Sequence, residues 1–172
     1  MSVAGEVHVA PMRRRDLKHI MEIERAVFPE PWSLNIFTSE LALRKGRAYR
    51  AARAGREICG YLGLMFVGDE AHVTTVAVAP AYQRQGVGTV LMLEAARTSV
   101  DHGARNLSLE VAASNERAQA LYRRFGFAPV GVRKGYYPVT GEDAFVMWAY
   151  GIDTPEYAHR LDGIEARLRS GP

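Results

Sequence analysis

Residues 76–92 read VAVAPAYQRQGVGTVLM, and their reading decides the fold. An alternating apolar run ends near Pro80, which has no N–H to give a strand ladder. A polar hexamer, Gln83 to Gly88, then leads into an apolar stretch. A strand is expected to stop here and a helix to start. At such a junction main-chain N–H groups converge on an anion at the positive end of the helix dipole, and Gly86 and Gly88 let it approach. A phosphate or pyrophosphate suits that place. A dinucleotide fingerprint needs a third glycine where Leu91 stands, and a P-loop needs Gly-Lys-Ser/Thr, which is absent. By spacing alone, a tight turn before a helix explains the hexamer at least as well.

Upstream, VHVA predicts a strand, and Leu17, Ile20, Met21, Glu24 and Phe28 recur at helical spacing. Arg13 to Arg15 read as the solvated entry of that helix. FPEPWS breaks the chain, and Ser33 is placed to cap a short second helix reaching about Leu43. AYRAAR, ICGYLGLMFV and AHVTTVAV, separated by AGRE and GDE, predict an antiparallel meander. Downstream, a helix of roughly fifteen residues with Val87, Val90, Leu91 and Ala95 on one face ends near Gly103. NLSLEV predicts a strand, and SNERAQALYRRFGF a helix capped by Ser114 or Asn115 and stopped by Gly126. APVGVR and DAFVMWAY predict two more strands, joined by KGYYPVTGE. Thr154, Pro155 and the stripe Tyr157, Leu161, Ile164 and Leu168 predict an amphipathic terminal helix. The expected fold class is α/β: one domain, residues 1–150, with a mixed, mostly antiparallel central sheet flanked by helices, and a helical extension, residues 151–172.

The totals agree with one ordinary globular domain: 172 residues, 48% hydrophobic and 24% charged, with a net charge of +3 that is spread along the chain. The longest apolar run, YLGLMFVG, is far below the ~18 residues of a membrane span, and the first residues lack a signal-peptide pattern. A cytoplasmic protein is expected. The single cysteine, Cys59, cannot form an internal disulfide, and the five histidines have no ligand-like spacing, so no metal is expected.

The segment 76–92 resembles the acyl-CoA-binding segment of the GCN5-related N-acetyltransferases (GNAT), whose pattern is Gln/Arg-x-x-Gly-x-Gly/Ala between strand and helix; Gln83, Gly86 and Gly88 fill it. The resemblance runs to about Tyr150. Within that superfamily FPEPWS, LEVAASN, AQALYRRFGF and RKGYYP look like the RimI group, which acetylates the N-terminal alanine of a small-subunit ribosomal protein. The resemblance implies acetyl-CoA as cosubstrate, with the pantetheine arm on the main chain of Val76, Ala77 and Val78. It implies the pyrophosphate on the N–H groups of Arg84, Gln85, Gly86, Val87, Gly88 and Thr89, and a cofactor contact from Asn115. As a residue pattern alone, Asn115 reads equally as a helix cap.

Acetyl transfer to an amine needs a neutral nucleophile, a place for charge on the carbonyl oxygen, and a proton for the departing thiolate. An α-amine is roughly a tenth neutral at pH 7, a lysine amine about 0.04%, a difference of about 3.4 kcal/mol. One carboxylate, acting directly or through a water, suffices as base for an α-amine. Leu109 and Val111 face one side of their strand and leave Glu110 aligned with Ser108 and Asn106 on the other. That pattern also describes a plain surface glutamate. Tyr122, between Leu121 and Phe125, reads by itself as a packed helix tyrosine. The resemblance implies Glu110 as catalytic base, Tyr122 as general acid, a main-chain N–H near Ala77 for the oxyanion, and direct transfer without a covalent enzyme intermediate. Ala112 stands where the group commonly has arginine.

The resemblance also places Trp32, Tyr136 and Tyr137 beside the acceptor, where aromatic walls suit an extended peptide, and Glu24 where it would attract a basic one. For Trp32 core packing, and for Glu24 a solvated helix face, are the plain alternatives. The expected partner is a protein N-terminal peptide, of a ribosomal protein, with no direct nucleic acid and no membrane; a partner or self-association through the terminal helix stays open. Rival functions are acetylation of a protein lysine or small amine, and a non-catalytic acyl-CoA sensor.

Overall fold

Strand alternation and helical spacing resolve, in a computed structural model that describes residues 3–171, into one seven-stranded sheet with helices on both faces. Residues 1, 2 and 172, included in the expected domain boundaries, lie outside the described residues. The strands are β1 (Val7–Pro11), β2 (Arg47–Ala54), β3 (Glu57–Val67), β4 (Glu70–Val78), β5 (Asn106–Ala112), β6 (Ala128–Tyr137) and β7 (Glu142–Tyr150). The helices are α1 (Leu17–Val27), α2 (Leu34–Ala42), α3 (Val87–Asp101), α4 (Glu116–Arg124) and α5 (Pro155–Ser170). The order is β1-β2-β3-β4-β5-β7-β6, and only β4 and β5 pair in parallel. The α/β class with a mixed, mostly antiparallel sheet is what forms.

Period-two alternation divides the core. Leu62, Leu64, Leu107 and Leu109 pack under α3 and α4 with Leu91 and Phe125, while Tyr61 and Ala51 pack on the other face with Ile20 and Phe37 of α1 and α2. One irregularity matters for the site. Gly63 pairs with Thr75 but Leu64 pairs with Val73, so Thr74 is the extra residue of a β-bulge. The bulge inverts the pattern: Val73 belongs to the α3 side and Ala77, four residues on, to the α1 side. Gly60 brings β3 close to this segment, since a Cβ there would meet the Ala77 carbonyl oxygen at 2.7 Å.

Helix ends follow their caps. Ser33 Oγ accepts from Ile36 N–H at 3.2 Å, and Asn115, rather than Ser114, caps α4 by accepting from Ala118 N–H at 3.2 Å. Asp16 takes the Arg13 N–H at 2.8 Å and pairs with Arg53, which fixes the turn into α1 while Arg13 to Arg15 stay exposed. α5 lays Tyr157, Leu161 and Ile164 on its own domain. Tyr157 Oη donates to the Phe125 carbonyl at 2.6 Å, and Arg160 donates to that of Arg124 at 3.1 Å, so α5 satisfies the open end of α4. Arg97 of α3 pairs with Asp162 and Glu165.

The joining segment expected at KGYYPVTGE is shorter than the sequence pattern suggests. β6 continues through Tyr137, but Arg133 pairs with Ala144 and Tyr137 with Glu142, leaving Lys134, Gly135 and Tyr136 opposite Asp143 alone. Gly135 takes φ +59 there, and its N–H donates to Asp143 Oδ1 at 2.9 Å. Hydrophobic alternation misses such a segment because the bulge breaks its period.

Candidate active site

Pro80–Tyr82 form a single 3-10 turn after β4, and the next four residues wind into the start of α3. Arg84 has φ +64 and Gly86 φ +85, so two left-handed residues lie in one short turn. Alternation of this kind points successive N–H groups at a common point, and the first turn of α3 adds N–H groups that have no partner within the helix. The Gln83 side chain donates to Val78 O at 3.3 Å and that of Gln85 to Ala81 O at 3.1 Å, which ties the turn to the end of β4. Val87 and Thr89 have buried side chains, leaving only their main chain to a ligand. Residues 79–93 contain no acidic side chain. These features fit a pyrophosphate. Gly88 has a further reason beyond ligand approach: a Cβ there would meet Leu121 Cδ2 at 3.2 Å, so it also sets the contact of α3 with α4.

β4 and β5 pair only from Glu70 to His72, against Asn106 to Ser108. Beyond that they separate, β4 running to Val78 and β5 to Ala112, so a gap opens in the sheet beside Val76, Ala77 and Val78. Backbone edges in such a gap are free to accept an extended ligand. The gap leads toward the glycine turn.

Glu110 lines this gap on the α1 face, at the edge of an open cavity of about 440 Å³ that also includes His72, Ser108, Arg133 and Tyr136. Arg133 Nη1 donates to Glu110 Oε1 at 3.0 Å, and Tyr136 Oη donates to Oε2 at 3.1 Å. His72 Nε2 stands 3.5 Å from Oε2, and its Nδ1 is 2.8 Å from Ser108 Oγ. The nearby His72 contact, with help from Arg133 and Tyr136 and against partial burial, holds the Glu110 carboxyl down at about 2. Sequence reasoning missed His72 and Arg133. The signal for His72 is its register opposite Ser108, which exists only once β4 and β5 are paired.

Tyr122 belongs to the core cluster on the α3 face, so it and Glu110 lie on opposite faces of the sheet. Burial raises its phenol well above the ordinary range, with Tyr137 adding to the effect. Among the described residues no group takes the Tyr122 hydroxyl in a hydrogen bond, although no buried side-chain oxygen is left unpartnered; the hydroxyl therefore reaches accessible space. Tyr137 lies within electrostatic reach of both Tyr122 and Glu110. Gln119, which sequence reasoning also missed, is buried and donates to the carbonyls of Ala112 and Ala113 at 3.1 and 3.0 Å, fixing the exit of β5. Nothing else in the structure bears on Ala112 in place of arginine.

Glu24 is not on a solvated helix face. It is 1% exposed, its Oε2 accepts the Trp32 N–H at 2.8 Å, and its Oε1 accepts from Tyr61 Oη. Burial raises its carboxyl despite these two bonds. Trp32 packs its ring at 5.1 Å from that of Phe37, and is half-buried. The Tyr136 and Tyr137 rings meet edge to face at 5.0 Å. Glu30 Oε1 accepts the Val139 N–H at 2.8 Å, which joins the α1–α2 segment to the β6–β7 turn. That bond brings the segment carrying Trp32 next to the turn that follows the tyrosine pair, while Glu24 holds the Trp32 main chain. Among the described residues no group of three or more His, Cys, Asp or Glu gathers to hold a metal, and no helix is long and apolar enough to cross a membrane.

The model of the acetyltransferase (GNAT) family matches residues 17–127. A Bacillus subtilis (strain 168) relative bearing the provisional name ribosomal protein bS18-alanine N-acetyltransferase is 40% identical over 140 residues, 81% of this chain and 93% of its own. The N-alpha-acetyltransferase RimI of Mycobacterium tuberculosis H37Rv is 37% identical over 150 residues, 82% of this chain and 90% of its own. The crystal structure of the ribosomal-protein-S18-alanine N-acetyltransferase of Escherichia coli superposes with a TM-score of 0.77 at 31% identity, covering 84% of this chain and 94% of that one. The chain belongs to the GNAT acetyltransferase family, and it is an acetyl-CoA-dependent N-acetyltransferase.

Proposed function

We propose that this enzyme transfers an acetyl group from acetyl-CoA directly to the N-terminal α-amine of a protein, and that the acceptor is the N-terminal alanine of a small-subunit ribosomal protein. The observation that carries the reading is the gap between β4 and β5, with Glu110 on one face, Tyr122 on the other and the glycine turn at its end. The names and identities of the relatives support the acceptor.

When bound, acetyl-CoA supplies an activated thioester. The N–H groups of residues 84–89 would hold its pyrophosphate, Val76 to Val78 would offer main-chain groups to its pantetheine arm, and Asn115, which caps α4, would add a cofactor contact. A main-chain N–H near Ala77, just past the Thr74 bulge, would serve the oxyanion. Glu110 draws the acceptor ammonium into place. Held at about 2, its carboxylate is a weak base: a full proton transfer from an α-ammonium near 8 is uphill by about 8 kcal/mol. Glu110 therefore works as base only when its own donors withdraw or a water carries the proton onward. Tyr122, like any phenol, is protonated at neutral pH, burial holds that proton more tightly, and it would donate to the sulfur as charge develops there. Trp32, Tyr136 and Tyr137 wall the acceptor, and Glu24 orders the Trp32 main chain.

A panel of short peptides differing in their first residues, incubated with acetyl-CoA and read by product mass and fragmentation, tests this. Peptides that begin with alanine should lead, with the label on the α-amine. Preferred labelling of lysine side chains or polyamines would replace this reading with the small-amine or lysine one, and release of no thiol with any amine would favour an acyl-CoA sensor.

A further inference from the structure

The three donors on Glu110 are not held equally. His72 is fixed from behind by Ser108, in the paired part of β4 and β5. Tyr136 is carried by the β6 bulge, which Asp143 pins through the Gly135 N–H. Arg133 is different. Its side chain is 55% exposed, and it supplies the one hydrogen bond seen on Oε1 among the described residues. Its guanidinium lies 4.8 Å from the centroid of the Tyr136 ring. A cation held between a carboxylate and an aromatic face is the arrangement by which proteins recognise ammonium groups.

We propose that Arg133 is a resident cation standing where the acceptor ammonium binds, and that acceptor binding displaces it. Arg133 is thereby a specificity-determining residue, resting on the amine-acetylation reading above. A charged amine replaces the positive charge that Glu110 gives up; a neutral molecule leaves the carboxylate short of a partner and does not compete. Displacement breaks one ion pair and forms another, and no proton moves in that step. The groups facing Glu110 are His72 from β4 and Arg133 and Tyr136 from β6, with Tyr137 in electrostatic reach. A pair as exposed as Arg133 with Glu110 is weak, so its removal is easy for a ligand that fits.

The test uses the full chain with its glutamate side-chain carboxyls carbon-13 labelled, the Glu110 resonance being assigned from Glu110→Gln. The probes are alaninamide, which carries the ammonium, and N-acetylalaninamide, which does not. In Arg133→Gln, alaninamide should move the Glu110 resonance at about threefold lower concentration than in the wild type, the size such a pair commands. Arg133→Lys, which keeps a cation, should match the wild type, and N-acetylalaninamide should move nothing in any of the three. The KM for an alanine-starting peptide should fall by the same factor in Arg133→Gln at constant acetyl-CoA affinity. Equal or weaker alaninamide binding in Arg133→Gln, or an equal response to N-acetylalaninamide, overturns the proposal. The resonance reports whether or not product forms, so a wild type that binds alaninamide but acetylates no peptide would count against the acetylation reading and not against this one.

Discussion

The Glu24 carboxylate accepts the main-chain N–H of Trp32 across eight residues at 2.8 Å, and so fixes the segment between α1 and α2 from below. This bond links a buried carboxyl to the main chain of a half-buried tryptophan.

Glu24→Gln keeps the shape of that support but removes the charge. Burial raises the Glu24 carboxyl above its ordinary 4.5, so the folded state disfavours the ionised form. The wild type should lose stability relative to Glu24→Gln as pH rises from about 4.5 through the folded value. Melting temperatures of both proteins from pH 4 to 8 read this directly. Glu24→Ala, which leaves the Tyr61 hydroxyl without its acceptor, should destabilise by about 1–3 kcal/mol and raise the peptide KM while leaving acetyl-CoA affinity in place.

Glu110→Gln should lower turnover by about a hundredfold or more with acetyl-CoA affinity nearly unchanged. Unchanged turnover would remove Glu110 from the mechanism. The same variant reports on acid stability with the opposite sign to Glu24. The Glu110 carboxyl is depressed from 4.5 to about 2, so its ionised form stabilises the fold above 4.5 and that contribution disappears as pH falls toward 2. The melting temperature of the wild type should therefore drop more steeply than that of Glu110→Gln across this interval.

Tyr122→Phe removes a hydroxyl that no described residue accepts, while keeping the ring 6.0 Å from that of Phe127. Stability should stay within about 0.5 kcal/mol. Turnover should fall at least tenfold if the hydroxyl serves the leaving sulfur. Equal activity in the two proteins would falsify that role.

Gly86→Ala places a side chain at φ +85, and should destabilise by about 1–2 kcal/mol while weakening acetyl-CoA binding about tenfold through the disturbed N–H array. Gly88→Val crowds Leu121 from a position where even a Cβ sits at 3.2 Å, so it should lower the melting temperature as well as the affinity. Calorimetric titration with acetyl-CoA beside thermal unfolding separates the two effects.

Tyr157→Phe deletes the 2.6 Å bond to the Phe125 carbonyl at the end of α4. A loss of about 1 kcal/mol is expected, read by denaturant unfolding.

Much was legible in the chain because local chemistry wrote it there. The apolar spacing of α1, α3 and α5, the Ser33, Asn115 and Thr154 caps, and the glycine turn before α3 depend on neighbours within a few residues, and they form where the sequence places them. The turn's fitness for a pyrophosphate is likewise local, since φ at Gly86 and the open N–H groups of a helix start need no distant partner. The charge state of the site is another matter. Whether Glu110 is a free surface carboxylate or one held at about 2 depends on His72, 38 residues away in a parallel strand, and on Arg133 and Tyr136, presented by a bulge that breaks strand periodicity. Glu24 reads as a solvated helix residue until Tyr61 and Trp32 close over it. Electrostatic environment and burial are properties of long-range pairing and packing, so the sequence determined the elements and the glycine turn, and only the tertiary structure decided which carboxylate is buried, which is paired and which cation stands beside it.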